Sequence, residues 1–323
     1  MKPLLRYITR RILFFIPLFI GVTALTFFMV NAIGDPVEMM LAEVPGVSQR
    51  QIEMVKKFFG TDLPIALRYF KWLANLLHLD LGVSIYKGKP VLNLLSTYGA
   101  QTLKIQLASL AISLILSIFL GVTAAVNQNT KKDTAIMSLS LLCRSIPGFW
   151  LGLILILVFS NWLMFFPSYG ALSSKEYLFG SRFLDELWHM VLPTLMLIFF
   201  DLPAFTLLMR SSMVDVLRED YILAARASGL GKKTVIWKHA LKNAIAPVIA
   251  YASYTFGVMI ASSPVTETVF TWPGVGFLFV DAITNLDYPI IMGVILILVV
   301  SVFIASLVAD ILYVIIDPRI KLE

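Results

Sequence analysis

The sequence predicts an all-α integral membrane protein with six transmembrane helices, and three observations carry that prediction. Of the 323 residues, 59% are hydrophobic and 14% charged, with a mean hydropathy of +0.85; soluble domains carry about 25% charged residues. Six apolar stretches reach the roughly 20 residues that cross a bilayer, at 12–33, 102–126, 135–165, 190–210, 244–264 and 289–316. Lys and Arg gather in the short loops on one face of that arrangement, as membrane topology requires. Segments of alternating hydrophobicity are missing, so a transmembrane barrel does not fit. The net charge of +6 is spread over these loops, which points to a lipid bilayer and not to nucleic acid. Cys143 is the single cysteine, which rules out an internal disulfide.

The first unit, residues 1–34, reads as a cytoplasmic N-terminus and transmembrane helix 1. Lys2, Arg6, Arg10 and Arg11 precede the apolar run without any acid, which places this end inside. The run is longer than the 7–15 residues of a cleaved signal, so it is expected to remain as the first span. It stops at Gly34-Asp35-Pro36, a turn that cannot continue a helix. The second unit, 35–101, is expected to be extracytoplasmic. Its seven Lys/Arg and six Asp/Glu nearly balance, and a segment of this length escapes the positive-inside bias. Ile65, Tyr69, Trp72, Leu73, Leu76 and Leu77 recur at helical spacing and give an amphipathic helix. Such a helix either covers the bundle or meets a soluble partner.

The third unit, 102–323, is a five-helix core. Helix 2 ends in the polar turn Asn127–Asp133, and helix 3 carries Arg144, Pro147 and Gly148. An intramembrane arginine needs a partner, a watery cavity or a route to the interface, and Arg144 is close enough to the cytoplasmic end to snorkel. Helix 4 contains Asp201 between Pro193 and Pro203. Near mid-membrane this is the costliest polar placement in the chain, so Asp201 faces the bundle interior or a partner subunit, for structure or for substrate.

A cytoplasmic loop, 213–243, follows. From Arg210 to Lys242 there are seven Lys/Arg against three Asp/Glu, in agreement with the N-terminus on orientation. A short helix is expected from Tyr221 to Ser228 with Asp220 as its N-cap, broken at Gly229 and Gly231. Small residues on a compact helix suit docking into another protein's cleft. Beyond helix 5, the stretch Glu267 to Gly276 holds Phe270, Trp272, Pro273 and Gly274. It is too broken to span, and reads as a re-entrant or interfacial outer segment with Phe270 and Trp272 at headgroup level. Helix 6 then returns the chain to Asp317-Pro318-Arg319-Ile320 inside.

Ala224, Ala225 and Gly229 have the spacing of the EAA signature, and the loop resembles that of membrane subunits of bacterial ABC importers. Leu223 stands where the signature glutamate would be, and the downstream proline arrives late, as Pro247. Both departures are similar to the oligopeptide/dipeptide/nickel branch. Further matching stretches are Gly34-Asp35-Pro36, Asp220-Tyr221 with Ala225-Arg226-Ala227, His239-Ala240-Leu241 with Asn243-Ala244, Glu267 to Gly276, Asp287-Tyr288-Pro289 and Asp317-Pro318-Arg319-Ile320. The resemblance implies a permease half, paired with a homologous second permease subunit and bound to two cytoplasmic ATPase subunits. It implies docking through Asp220, Tyr221, Ala224, Ala225, Arg226, Ala227, Ser228 and Gly229, with substrate delivered by an extracytoplasmic binding protein. Peptides are the expected cargo; nickel or a metal chelate is the alternative.

The residues themselves agree with that division of labour. Gly229-Leu230-Gly231-Lys232-Lys233-Thr234 lacks the spacing of a phosphate-binding loop, so ATP hydrolysis is expected in partner subunits and no cofactor is expected here. His78, His189 and His239 are scattered, so neither a metal site nor a catalytic triad is expected. A secondary transporter would carry more ionisable groups at mid-membrane and often an inverted repeat. A channel or scaffold leaves the structured loop unexplained.

Overall fold

A computed structural model describes residues 2–34, 48–174, 176–262 and 264–316. The calls on Asp35-Pro36 and on Asp317-Pro318-Arg319-Ile320 fall outside these residues. The described chain is helical apart from turns and one isolated bridge between Val83 and Pro90.

Each of the six apolar stretches lies on helix. They become α1 (Lys2–Ile33), α4 (Val91–Val126), the pair α5 (Lys131–Ser145) and α6 (Gly148–Leu155), α7 (Arg182–Val216), α11 (Ala246–Ser262) and α14 (Tyr288–Ile316). Among the described residues, α1, α4, α7 and α14 are individually long and apolar enough to cross a membrane. The continuous third span expected over 135–165 is corrected: α5 and the helix beginning at Gly148 are bent by 97°. Pro147 is the cause. It removes a backbone donor and drives Ile146 to φ −80°, ψ 126°, outside the helical region. After α6 the chain loosens into a π turn, Ile156–Trp162.

The described residues of the segment after α1 form two short helices. The sequence reading missed α2 (Gln49–Phe59), although Ser48 and Gln51 form a reciprocal capping box and Gly60 closes its end at φ +70°. The amphipathic helix appears as α3 (Ile65–Leu76). Its packed face is narrower than the apolar pattern suggests, because Tyr69 is buried while Ile65 and Leu77 are exposed. Tyr69 meets Phe27 edge-on at 5.4 Å and its hydroxyl lies 3.1 Å from that of Thr23, so α3 covers the flank of α1.

The core is built on α4 running along α7, the most extensive helix pair, with α11 against α14 as the second. On α4 the residues Thr102, Gln106, Ser109, Ser113 and Ser117 are buried and recur every three or four positions. Small and hydroxylated residues let membrane helices approach closely, which is how a seam can be tight without large side chains. α1 stands outside this core, held by the Phe15–Phe303 stack at 3.9 Å and by Arg11 to Asp310 at 2.6 Å.

Arg210 of α7 donates from Nε and Nη2 to both oxygens of Asp133, each at 2.6 Å, and so fixes the start of α5. Asp133 is buried and Arg210 partly so. Replacing Asp133 with Asn is expected to cost about 2 kcal/mol, less than a fully buried pair because water reaches the guanidinium. Unfolding of the full chain in detergent measures this. A variant as stable as the parent would show that the pair does not hold α5.

Candidate functional site

The loop after α7 builds a small helix that stands on one buried side chain. The chain leaves α7 at Leu217 and enters α8 (Asp220–Ala227) with Glu219, not Asp220, as the N-cap residue. Glu219 adopts φ −68°, ψ 145° and no side chain caps the helix. Asp220 instead sits in the first turn, where its charge opposes the positive end of the helix dipole. Eight residues do not make a stable helix alone. Ile222, 0% exposed, anchors this one among Met209, Met213, Val235 and Ala240. Asn243 donates to the Tyr221 hydroxyl at 2.7 Å, a second tie to the following helical stretch.

The rest of α8 faces outward. Leu223 is 52% exposed, and Ala224, Arg226, Ala227 and Ser228 are exposed with it. Ala225 is set apart from the other small residues because it packs against the core cluster. Gly229 ends the helix at φ +81°, a conformation that favours glycine, and a Cβ there would meet nothing within 4 Å. The described residues of its own subunit therefore leave open space around Gly229. The chain resumes as α9 (Lys232–Thr234), a π turn (Val235–Ala240) and α10 (Leu241–Ala244).

At the opposite end of α4 and α7, α12 (Pro264–Val269) and α13 (Val275–Thr284) form a helical pair joined by Phe270–Gly274. Glu267, 0% exposed, is its hub. Thr102 donates to Oε1 at 2.7 Å and the Phe277 amide to Oε2 at 3.0 Å, while Thr102 also accepts from the Val275 amide at 2.8 Å. Gly274 is required because a Cβ there would overlap the Glu267 carboxyl; at Gly276 one would come within 2.5 Å of the Pro264 Cα. Pro273, half-buried, completes the turn. Phe270 and Trp272, expected at headgroup level, both turn their rings into the protein. Trp272 is 0% exposed and donates from Nε1 to the Gln101 carbonyl at 3.0 Å, and Phe270 packs on Leu151, Leu192 and Met196. An indole whose N–H finds a partner inside is buried more favourably than one left at the surface.

Arg144 and Asp201 do not join either constellation. Arg144 is exposed at the end of α5, next to the break. Asp201 is half-buried on α7 and accepts from Ser109 of α4 at 3.1 Å. Among the described residues no three His, Cys, Asp or Glu side chains converge as a metal site would require.

Two buried aspartates that sequence reasoning assigned no role tie down the loops at the α12–α13 end. Asp287 accepts from Ser84 Oγ at 2.5 Å and from the Tyr86 amide at 3.0 Å, and Tyr288 donates to the Gly34 carbonyl at 2.7 Å. Asp185 accepts from both the amide and the hydroxyl of Ser173, each at 2.7 Å. Lys87 adds an ion pair to Asp281 at 2.7 Å. Burial pushes the Lys87 ammonium down, and the hydrogen bond and charge of Asp281 more than reverse this, leaving its pKa above the ordinary value. The only sequence signal was that Asp287-Tyr288-Pro289 belongs to the family pattern.

Comparison with known proteins supplies the context for these sites. Residues 117–322 match the family described as binding-protein-dependent transport system inner membrane component. The oligopeptide transport system permease protein AppB of Bacillus subtilis (strain 168) is 40% identical over 319 residues, covering 98% of this chain and 99% of its own. The di/tripeptide permease DppB of Pseudomonas aeruginosa (strain UCBPP-PA14) and the dipeptide permease DppB of Escherichia coli (strain K12) are 36% and 34% identical, each over 98% of this chain and 99% of theirs. A chain of the inward-facing MetNI methionine ABC transporter shares the fold at a TM-score of 0.57 and 17% identity, over 70% of this chain and 97% of that one. With a family model over most of its length and relatives aligned nearly end to end, this chain belongs to the inner membrane components of binding-protein-dependent transport systems.

Proposed function

We propose that the chain is one half of the translocation pathway of an ATP-driven importer of di- or oligopeptides, coupled to cytoplasmic ATPases through α8. One observation carries this reading: a short helix is pinned by Ile222 from behind and turns an exposed face of Leu223, Ala224, Ala227 and Gly229 away from its own subunit. A helix held in this way transmits force without bending, as coupling needs. In this reading the loop end of the bundle is cytoplasmic, six spans cross the membrane, and the α12–α13 end with segment 35–101 receives cargo from a binding protein. ATP-driven closure of the ATPases moves α8, and α7 and α11 change which side of the pathway is open.

Peptide cargo rests on what the relatives are named for, and a nickel or metal-chelate cargo is the second reading on the same machinery. Exchanging only the binding protein is expected to exchange the cargo, since few charged groups lie within the spans to select it. Unchanged specificity in a transport assay would count against this. Affinity purification of the chain from its own host is the direct test of coupling. A peptide-importer ATPase should co-purify and its turnover should rise with loaded binding protein; substrate uptake by the chain without any ATPase would point to a secondary transporter instead.

A further inference from the structure

Beside α8 lies a cavity of about 570 Å³, walled by the last turns of α4 and α7 and by the start of the π turn. Arg218, Arg226 and Lys232 line it together with Gln128, and no acidic side chain does. None of these three cations enters an ion pair among the described residues. Leu217, Val235 and their neighbours make the remaining wall apolar. Three like charges around one concavity repel one another, and a bound anion relieves that repulsion. Trp237 lies one residue beyond the cavity wall. It is 44% exposed and tilted against Phe119 of α4 at 5.6 Å, the placement of an indole where a membrane-crossing helix meets the headgroups.

We infer that this cavity is a binding site for the phosphodiester headgroup of an anionic phospholipid. The arginines suit paired hydrogen bonds to phosphate oxygens, Lys232 supplies a point charge, and Gln128 offers an amide to the glycerol hydroxyls. The apolar wall takes the glycerol ester and the first carbons of the acyl chains. Basic pockets between helices at the cytoplasmic surface recognise such headgroups. A free phosphate would use the cations and leave that wall unused. An acidic side chain of a partner protein would use the charges too, but it has no need of a cavity that opens at headgroup depth. A lipid bound here would hold α8 through Arg226. Arg226 belongs to both the docking helix and this cavity, but lipid binding is measured on the chain without any ATPase, so the two readings fail separately.

The test uses the full chain purified in uncharged detergent and titrated with dihexanoyl phosphatidylglycerol, with dihexanoyl phosphatidylcholine and inorganic phosphate as parallel arms. The R218Q/R226Q/K232Q variant is expected to weaken phosphatidylglycerol binding about tenfold or more. A control that removes the same charge at residues that do not line the cavity, K131Q/K132Q/K233Q, is expected to stay within about twofold. R218Q alone, outside α8 and the π turn, is expected to lose about threefold and keeps the test valid if the triple variant unfolds. Equal loss in pocket and control variants, equal binding of phosphatidylcholine, or inorganic phosphate binding as tightly as the lipid would each overturn the assignment. Retention of phosphatidylglycerol binding by the pocket triple would overturn it as well, and would leave the cations for a partner's carboxylates.

Discussion

Replacing Glu267 with Ala is expected to destabilise the chain by about 3 kcal/mol or more. Both Thr102 Oγ1 and the Phe277 amide lose an acceptor in a place that water does not reach, and each buried group left unsatisfied costs about 1–3 kcal/mol. Gln at the same position keeps one acceptor oxygen and the side-chain volume, so Glu267→Gln is expected to lose less than half as much. Gly274→Ala is expected to be comparably damaging, because its new methyl overlaps the Glu267 carboxyl. The two changes should not add. In Glu267→Ala/Gly274→Ala the shortened side chain makes room for the methyl, and the pair is expected to cost less than the sum by more than about 1 kcal/mol. Unfolding of the four proteins in one detergent measures this cycle. Additive losses would mean that carboxyl and glycine do not share the space the geometry gives them, and the α12–α13 pair would need another explanation.

Filling the exposed face of α8 is expected to abolish transport while leaving the subunit folded. Ala227→Trp places a large ring on the surface, and its cost to the isolated subunit is expected to stay within about 0.5 kcal/mol. Against a docked ATPase the ring has no room, and transport is expected to fall about a hundredfold, the scale of a disrupted interface hot spot. Gly229→Asn separates two uses of glycine. Asn tolerates positive φ, and its Cβ meets nothing within 4 Å, so the turn survives with a side chain standing in the space a partner would occupy. Loss of transport in both variants, with normal membrane levels and lost ATPase co-purification, is the expected result. Full transport in both, with the ATPase still bound, would end the docking reading. Ala225→Asp is a poorer probe, because Ala225 packs on the core and a carboxylate there would disturb the loop itself.

Several features were readable from the chain because they depend on neighbours in sequence. The six apolar stretches are all helical, and the break at Gly229 appears where a residue that favours positive φ follows a run of good helix formers. Pro147 marked the sharp bend in the third stretch, and the continuous-span expectation erred by treating it like Pro17, Pro193 and Pro203, which lie inside unbroken α1 and α7. The Ser48–Gln51 capping box and Gly60 were an equally local signal for α2 that went unread.

What the sequence by itself determined is the class of molecule and its two ends: a hydrocarbon-rich helical bundle, a basic loop with a small-residue helix, and a broken segment near Glu267. Hydropathy, charge and helix propensity are properties of short windows, and they suffice for that. Only the tertiary structure decided that Glu267 meets Thr102, that Trp272 turns inward to Gln101, that Asp287 holds Ser84, and that Arg218, Arg226 and Lys232 share one cavity. The first three pairings cross more than 160 residues of chain, and all four depend on which face each helix turns to its neighbour. In long spans that are apolar nearly all round, no strong amphipathic pattern announces that face. Close packing of the small side chains of α4 against α7 selects it instead.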